Sequence, residues 1–170
     1  MRRLLVVALL FGCAPAPRDP SYDRLVKQAE TRVKRGELAH AERSFTEAHR
    51  LDSEGIEARY GLAFVKSKRC SKHKRDCEAC LAEFDAILSE DDYRDSHYNR
   101  AQCAFELGRT EQALTDLDKA VAKRPNDLDY RMTRALLRLH LKRAVEACED
   151  LAKARALGAD VSALIERNCR

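Results

Sequence analysis

The sequence predicts an all-α fold in which helical hairpins follow one another along the chain. Its 170 residues include only 6 Gly, 4 Pro and no Trp, whereas 35% of them are charged. This composition favours helices over a β-sandwich or a disordered chain. A second observation supports the same class, because an apolar pattern with helical spacing recurs after 34 residues. The formal net charge of +4 is too small to indicate a nucleic-acid-binding surface, so no nucleic acid partner is expected.

The chain begins with the pattern of an export signal. A basic start at residues 1–3 precedes an apolar stretch at 4–11, which is too short to span a bilayer. The sequence Leu-Phe-Gly-Cys at 10–13 resembles the cleavage box of bacterial lipoproteins, in which the cysteine receives acyl chains such as palmitate. The resemblance implies a lipoprotein signal peptide at 1–12 and lipidation of Cys13. An ordinary secretory signal cleaved elsewhere, or an uncleaved anchor, is the alternative.

Residues 13–21 are expected to tether the folded part of the chain to this lipid. Three prolines in this segment favour an extended, semi-rigid spacer. More than one acyl chain on Cys13 would hold the protein stably on a membrane. Because no Asp follows Cys13, the resemblance to lipoproteins of double-membrane bacteria implies an outer-membrane protein that faces the periplasm.

Two helix patterns alternate along residues 22–161. In the second helix of a pair, small and large apolar residues recur at steps of four and three and therefore share one helix face. The residues with this spacing are Ala41, Phe45 and Ala48; Ala113, Leu117 and Ala120; and Ala147, Leu151 and Ala154. The first helix of a pair is marked by a residue with alanine four positions later: Leu25 and Ala29, Arg59 and Ala63, His97 and Ala101, and Arg131 and Ala135.

A helix–turn–helix unit of this length resembles the tetratricopeptide repeat, or TPR, of 34 residues. The resemblance implies a right-handed superhelical solenoid of four TPR-like helical hairpins followed by a C-terminal capping helix. The second repeat carries four extra residues, which sets the repeats at 22–55, 56–93, 94–127 and 128–161 and the cap at 162–170. The sequence departs from the family in the early aromatic position of the first helices, and it keeps the closing proline only at Pro125.

In this family, the first helices of the hairpins line a concave groove that binds segments of partner proteins. The groove-facing positions implied here include Tyr60, Phe64, Tyr98, Gln102, Phe105 and Met132. In the fourth repeat, Leu136 and Leu139 extend this apolar floor. The second position of each repeat is acidic, at Asp23, Glu57, Asp95 and Asp129. Such a groove would suit a partner with apolar anchors and basic flanks. Alternatively, the aromatic residues only pack neighbouring repeats, and the apolar residues of the fourth repeat lie under the cap.

A basic segment rich in cysteine stretches the turn of the second repeat. Six of residues 66–75 are Lys or Arg, which is typical of a solvated loop and would also suit anionic lipid headgroups. The same segment places four potential tetrahedral zinc ligands together in sequence: Cys70, His73, Cys77 and Cys80. No metal or other cofactor is expected, because an exported chain favours disulfides, and the zinc site remains as an alternative.

If Cys13 is lipidated, six cysteines remain, and they allow 15 pairings. In a stacked array of hairpins, the second helix of one repeat packs on the first helix of the next. This arrangement places Cys80 beside Cys103 and Cys148 beside Cys169, so that Cys70 and Cys77 are left to close the basic segment as a hairpin. Each cysteine could instead be a free buried thiol.

The sequence indicates a binding protein and no enzyme. It contains no recognisable nucleophile motif and no glycine-rich phosphate loop. We interpret it as a membrane-anchored periplasmic adaptor that binds a partner protein segment in its groove and aids the assembly of an envelope complex. Two alternatives stay open, namely an envelope metal- or thiol-binding protein that uses the Cys70–Cys80 loop and a purely structural envelope lipoprotein.

Overall fold

The computed structural model describes residues 18–169, and within them nine helices follow one another without a strand. The helices are α1 (Pro20–Lys34), α2 (Leu38–Leu51), α3 (Ile56–Arg69), α4 (Lys74–Glu90), α5 (Ser96–Glu106), α6 (Thr110–Lys123), α7 (Leu128–His140), α8 (Ala144–Ala156) and α9 (Ser162–Asn168). None of these described helices has the length and apolar character that a bilayer span needs. The predicted signal peptide at 1–12 and lipidation site at Cys13 lie outside the described residues.

The helices form four antiparallel pairs, α1 with α2, α3 with α4, α5 with α6 and α7 with α8, and α9 packs on α8. Each pair contacts the next through its second helix, while α1 also touches α3, and α3 touches α5. The first helices therefore lie side by side along one face, which we call the inner face. The predicted all-α superhelical arrangement of hairpins is confirmed.

Hairpin one begins slightly earlier than the sequence pattern indicated. Pro20 is the first residue of α1, where its missing N–H costs nothing because that group has no partner within the helix. The Asp19 carboxylate caps the helix by accepting a hydrogen bond from the Ser21 backbone N–H at 2.7 Å.

The turns within the first, third and fourth hairpins each contain a residue with positive φ. Gly36 and Gly108 follow α1 and α5 with φ of 75° and 74°. After α5, the Arg109 N–H donates to the Ala104 carbonyl at 2.8 Å and satisfies one of the free carbonyls of the helix end. Lys142 occupies the corresponding place after α7 with φ of 61°, a conformation that disfavours side chains with a Cβ.

Close approach between hairpins one and two depends on two residues. Gly61 in α3 lies against the Phe45 ring, and a Cβ at position 61 would come within 2.3 Å of it. Tyr22 is fully buried, and its hydroxyl accepts a hydrogen bond from the Ala58 N–H at 3.1 Å and donates to the Glu57 carboxylate at 2.9 Å. Tyr22 thereby satisfies one of the unpaired N–H groups at the start of α3.

The segment predicted as a long basic turn is mostly helical. Helix α3 continues to Arg69, and α4 begins at Lys74, so only residues 70–73 link them. Basic residues are favourable at a helix C-terminus because of the helix dipole. Two of them are also neutralised, since Lys66 pairs with Glu83, and Arg69 pairs with Glu42 at 2.7 Å.

Three disulfides join the cysteine pairs that the stacked array suggested. Cys80 of α4 is bonded to Cys103 of α5, with an S–S distance of 2.03 Å. The Cys148–Cys169 bond links α8 to the end of the cap, and the Cys70–Cys77 bond ties the loop to α4, both with S–S distances of 2.00 Å. Two of the three bonds therefore connect successive structural units, where a repeat array would otherwise open first.

Two carboxylates are buried in the second helices of the third and fourth hairpins. Asp116 in α6 is 1% exposed and accepts hydrogen bonds from Arg100 at 2.8 and 2.5 Å. Asp150, 34 positions later in α8, is also 1% exposed and accepts from Arg134 in the same way, at 2.8 and 2.7 Å. Each arginine reaches from the first helix of its hairpin to the second, so these ion pairs hold the hairpin legs together.

The same arginines connect neighbouring hairpins. Arg100 also donates to Asp85 of α4 at 2.7 Å, and Arg134 donates to Asp118 of α6 at 2.8 Å. Both outer carboxylates are about half exposed. Each guanidinium thus joins a buried acid of its own hairpin to an exposed acid of the preceding one.

We expect Lys142→Gly to stabilise the protein by about 1 kcal/mol, because glycine adopts positive φ without the steric cost of a Cβ. Thermal unfolding followed by circular dichroism should show a midpoint about 2 to 4 °C higher. The matched control is Gly108→Lys, which should lower the midpoint, since a Cβ at position 108 would meet no atom within 4 Å and only backbone strain is added. An unchanged midpoint in both variants would contradict this interpretation of the turns.

Removal of a buried acid should cost far more than removal of an exposed acid on the same arginine. Asp150→Ala leaves the guanidiniums of Arg131, Arg134 and Arg138 without their buried partner and should destabilise the protein by about 3 to 5 kcal/mol. Asp118→Ala removes only the half-exposed partner and should cost at most about 1 kcal/mol. Urea unfolding of both variants measures the difference, and equal losses would rule out the proposed role of Asp150.

Candidate functional site

The inner face contains two cavities. The larger, which we call the C-terminal cavity, has a volume of about 410 Å³ and lies among α3, α5, α6 and α7. The smaller, which we call the N-terminal cavity, has a volume of about 360 Å³ and lies mainly among α1, α2 and α3. Both volumes fall in the range of ordinary ligand pockets in proteins.

The C-terminal cavity has an apolar wall that is partly open to solvent. Phe105 of α5 and Leu136 of α7 line it and are 44% and 49% exposed, an unusual degree for such large apolar side chains. Ala101, Leu117 and Leu137 form the deeper wall. The Phe105 and His140 rings form a T-shaped pair, with 5.7 Å between ring centroids. The cavity therefore presents apolar surface that no described residue of the chain covers.

Charged side chains at the C-terminal cavity can form further ion pairs. Lys68 lies at its α3 side, and its ammonium sits 4.8 Å from the centroid of the Phe64 ring. Partial burial lowers the pKa of Lys68 below its ordinary value. Among the described residues, neither Lys68 nor Glu106, which lies on the α5 side, has an ion pair with another side chain. The cavity thus combines an apolar wall with one unpaired cation and one unpaired anion.

At the N-terminal cavity, the charged side chains already pair with one another. Arg94, from the link between α4 and α5, reaches back to α1 and donates to Glu30 at 2.8 Å. The same guanidinium lies 5.6 Å from the Tyr60 ring centroid. Glu57 is likewise occupied, because it accepts from Tyr22 and lies 3.4 Å from Arg18. A partner entering here would have to displace existing ion pairs.

Four of the six predicted groove residues line these cavities. Gln102 and Phe105 lie in the C-terminal cavity, and Tyr60 and Phe64 lie in the N-terminal one. Tyr60 is nevertheless mainly a core residue, since it is 7% exposed and its hydroxyl accepts a hydrogen bond from Asn99 at 2.9 Å. Burial raises the pKa of Tyr60 to about 12.

The other two predicted groove residues lie elsewhere. Tyr98 stacks on Tyr130 with ring centroids 4.6 Å apart and so packs the third hairpin on the fourth. Met132 packs in the apolar cluster beneath the cap, beside Leu151 and Val161. Tyr98 thus lies in a contact between repeats and Met132 lies beneath the cap, as the alternative that the sequence left open describes.

The predicted acidic rim is largely neutralised within the chain. Glu57 is held by Tyr22 and Arg18, as described above, and Asp95 forms an ion pair with Arg124. A partner with basic flanks therefore finds fewer available carboxylates on the inner face than the sequence suggested.

Sequence reasoning missed three charged or titratable side chains at the C-terminal cavity, Lys68, Glu106 and His140. Each lies one helical turn after a residue already assigned to the groove: Phe64, Gln102 and Leu136 respectively. The helical period would have indicated them, because residues four apart share a helix face.

The alternative zinc ligand set is not assembled as the sequence placed it. Cys70, Cys77 and Cys80 are bonded in disulfides and so offer no thiolate while these bonds are intact. His73 is exposed in the link between α3 and α4. The structure instead brings the Cys103 sulfur to the cluster, within 4.8 Å of those of Cys70 and Cys80.

The comparisons with known proteins agree with this architecture. Residues 95–127 match the family model for the tetratricopeptide repeat. The segment of MamA from position 41 to the end, from Desulfovibrio magneticus RS-1, has a TM-score of 0.68 at 16% identity and covers 80% of this chain and 75% of that one. PilF of Pseudomonas aeruginosa has a TM-score of 0.68 at 21% identity, with 83% and 63% covered. No curated protein sequence matches the chain.

A third solved structure is similar in the same way. YrrB, described as a TPR protein with an unusual peptide-binding site, has a TM-score of 0.63 at 21% identity and covers 79% of this chain and 67% of that one. All three identities are low, so these structures establish the fold alone. Together with the match at 95–127, they show that the chain has the all-α fold of stacked hairpins found in tetratricopeptide-repeat proteins and that residues 95–127 match one such repeat.

Proposed function

We propose that this protein is an adaptor that binds a segment of a partner protein in the C-terminal cavity. The observation that carries the proposal is the exposure of Phe105 and Leu136 on either side of a cavity of about 410 Å³. Large apolar side chains that line a concave site are typical of binding surfaces. The similar fold of YrrB, a TPR protein with a peptide-binding site, supports the proposal.

The chemistry of the cavity defines the partner segment. An apolar side chain would fill the space between Phe105 and Leu136 and exclude water from both. Lys68 and Glu106 would then pair with an acidic and a basic residue on the two sides of this anchor. A helical or extended segment with one apolar anchor between opposite charges meets these requirements.

The adaptor is proposed to work without catalysis. TPR-repeat proteins generally serve as non-enzymatic scaffolds. The titratable residues that line the C-terminal cavity are Lys68, Glu106 and His140, and they come from three different helices.

The location is proposed from the N-terminal sequence. The lipoprotein-like box at 10–13 and the Pro-rich segment after it support an acyl anchor on Cys13 and a place on the periplasmic side of the outer membrane. The three disulfides fit an oxidising compartment of this kind. There the adaptor would aid the assembly of an envelope complex.

Phe105→Ala together with Leu136→Ala should weaken partner binding about 30-fold, because covering the exposed half of each side chain contributes about 1 kcal/mol. A photo-crosslinking amino acid at Gln102 is expected to capture one protein in native membranes, and the double variant should lose that product. Val145→Ala in α8 is the matched control, since Val145 is 79% exposed and does not line the cavity.

Equal crosslinking by all variants would overturn the groove proposal. Crosslinks at Gln102 that are no stronger than those obtained at position 145 would do the same and would favour a purely structural envelope lipoprotein. Because both cavity residues are nearly half exposed, circular dichroism should show that their variants keep the fold.

A Cys13→Ser variant should remain without acyl chains and leave the membrane fraction. Intact mass of the wild-type protein should show acyl groups on a chain that begins at Cys13. Membrane fractionation of both proteins in a double-membrane host tests this prediction. A wild-type chain without lipid, cleaved at another site, would contradict the anchor while leaving the cavity proposal standing.

A further inference from the structure

Two disulfides meet in the core of the second and third hairpins. The sulfur atoms of Cys70, Cys80 and Cys103 all lie within 4.8 Å of one another. Cys77 lies outside this group of three, but its sulfur is bonded to that of Cys70 at 2.00 Å and is therefore next to the group. These cysteines lie in the loop, in α4 and in α5, and they come together because α4 packs on α5.

These sulfurs are close enough to one another to surround a single metal ion. Zinc binds thiolates at about 2.3 Å, which sets sulfur atoms about 3.8 Å apart around the ion. After reduction, the sulfurs of each former disulfide, now 2.00 and 2.03 Å apart, would separate by about 1.8 Å, a movement that side-chain rotation supplies. Separate disulfides scattered over the fold would not have this property.

The surroundings suit a closed structural site. All four cysteines are buried, at 3% exposure or less, within the main apolar cluster beside Phe84 and Ala104. Four thiolates and one divalent ion carry a net charge of −2. Basic residues of the segment 66–75 outside the ion pairs described above, such as Lys72 and Lys74, offset part of this charge.

We propose that reduction of both disulfides converts this cluster into a zinc site with Cys70, Cys77, Cys80 and Cys103 as ligands. The chain would thus hold either two disulfides or one metal ion at the same place. This inference is independent of the proposed partner binding, because none of the four cysteines lines the C-terminal cavity.

The chemistry balances with a dithiol as the reductant. Each disulfide accepts two electrons and two protons from one dithiol molecule, which becomes a cyclic disulfide. Two such steps yield four thiols. Zinc binding releases the four thiol protons to solvent and forms four Zn–S bonds. In the reverse direction, two molecules of the cyclic disulfide accept four electrons from the thiolates and four protons from solvent, which restores the two disulfides of the chain and releases the ion.

Cys103 is the fourth ligand of this site, in place of His73, which the sequence suggested. His73 is exposed on the loop, whereas Cys103 is fully buried beside Cys80. The third disulfide plays no part, since Cys148 and Cys169 lie at the other end of the array, between α8 and the cap.

The test uses the full chain with Cys13→Ser, so that six cysteines remain. After reduction with dithiothreitol and removal of the reductant under anaerobic conditions, Co²⁺ is added as a spectroscopic probe and Zn²⁺ as the competitor. We expect one Co²⁺ per chain with the absorption of tetrahedral thiolate coordination, and four of six thiols protected from alkylation. The oxidised chain should bind at least about a thousandfold more weakly, because its sulfurs offer no thiolate.

Paired serine variants provide the controls. Cys148→Ser with Cys169→Ser should keep the Co²⁺ spectrum, whereas Cys80→Ser with Cys103→Ser should abolish it. If the reduced chain loses helicity, Zn²⁺ should restore the circular dichroism of the native chain. Absence of bound ion, failure of Zn²⁺ to restore helicity, or equal binding by both double variants would overturn the proposal.

Discussion

A hairpin of two amphipathic helices cannot bury its apolar face alone, and this constraint governs the whole molecule. Each hairpin depends on the next, and a different interaction joins each pair. Tyr22 of the first hairpin caps α3 of the second, and the Cys80–Cys103 bond joins the second to the third. Tyr98 stacks on Tyr130 to pack the third against the fourth. Stability is therefore distributed over successive interfaces and is not concentrated in one central core.

The two cavities of the inner face differ in whether side chains of the protein itself pair the charges that line them. Both lie among the first helices of neighbouring hairpins and have similar volumes. At the N-terminal cavity, Arg94 forms an ion pair with Glu30, which lies 64 positions earlier in the sequence. At the C-terminal cavity, Lys68 and Glu106 lack such partners among the described residues, and the apolar wall stays accessible. The functional proposal concerns the C-terminal cavity because its charges are unpaired, whereas the two cavities are similar in volume.

The sequence predicted those features that depend on local spacing. Helix positions followed from the recurrence of small and large apolar residues, and stacking of successive hairpins placed Cys80 near Cys103 and Cys148 near Cys169. The buried state of Asp116 and Asp150 could not be predicted in this way, because it depends on which arginine reaches the carboxylate across a hairpin. The surroundings of Met132 could not be predicted for a similar reason, since they are decided by the cap that covers the last hairpin.

The distribution of disulfides has a mechanical consequence. Residues 20–51, which form the first hairpin, contain no cysteine, while covalent bonds reinforce the seam between α4 and α5 and the junction of α8 with the cap. Tension applied between an anchored N-terminus and a load held farther along the inner face would pass first through α1 and α2. Noncovalent contacts, such as the Tyr22 hydrogen bond, the packing of Phe45 on Gly61 and the ion pair of Arg94 with Glu30, hold this hairpin to the rest of the array. The first hairpin would therefore detach from the array before the crosslinked hairpins deform. Its detachment would lengthen the molecule while the remaining repeats stayed bound to the load.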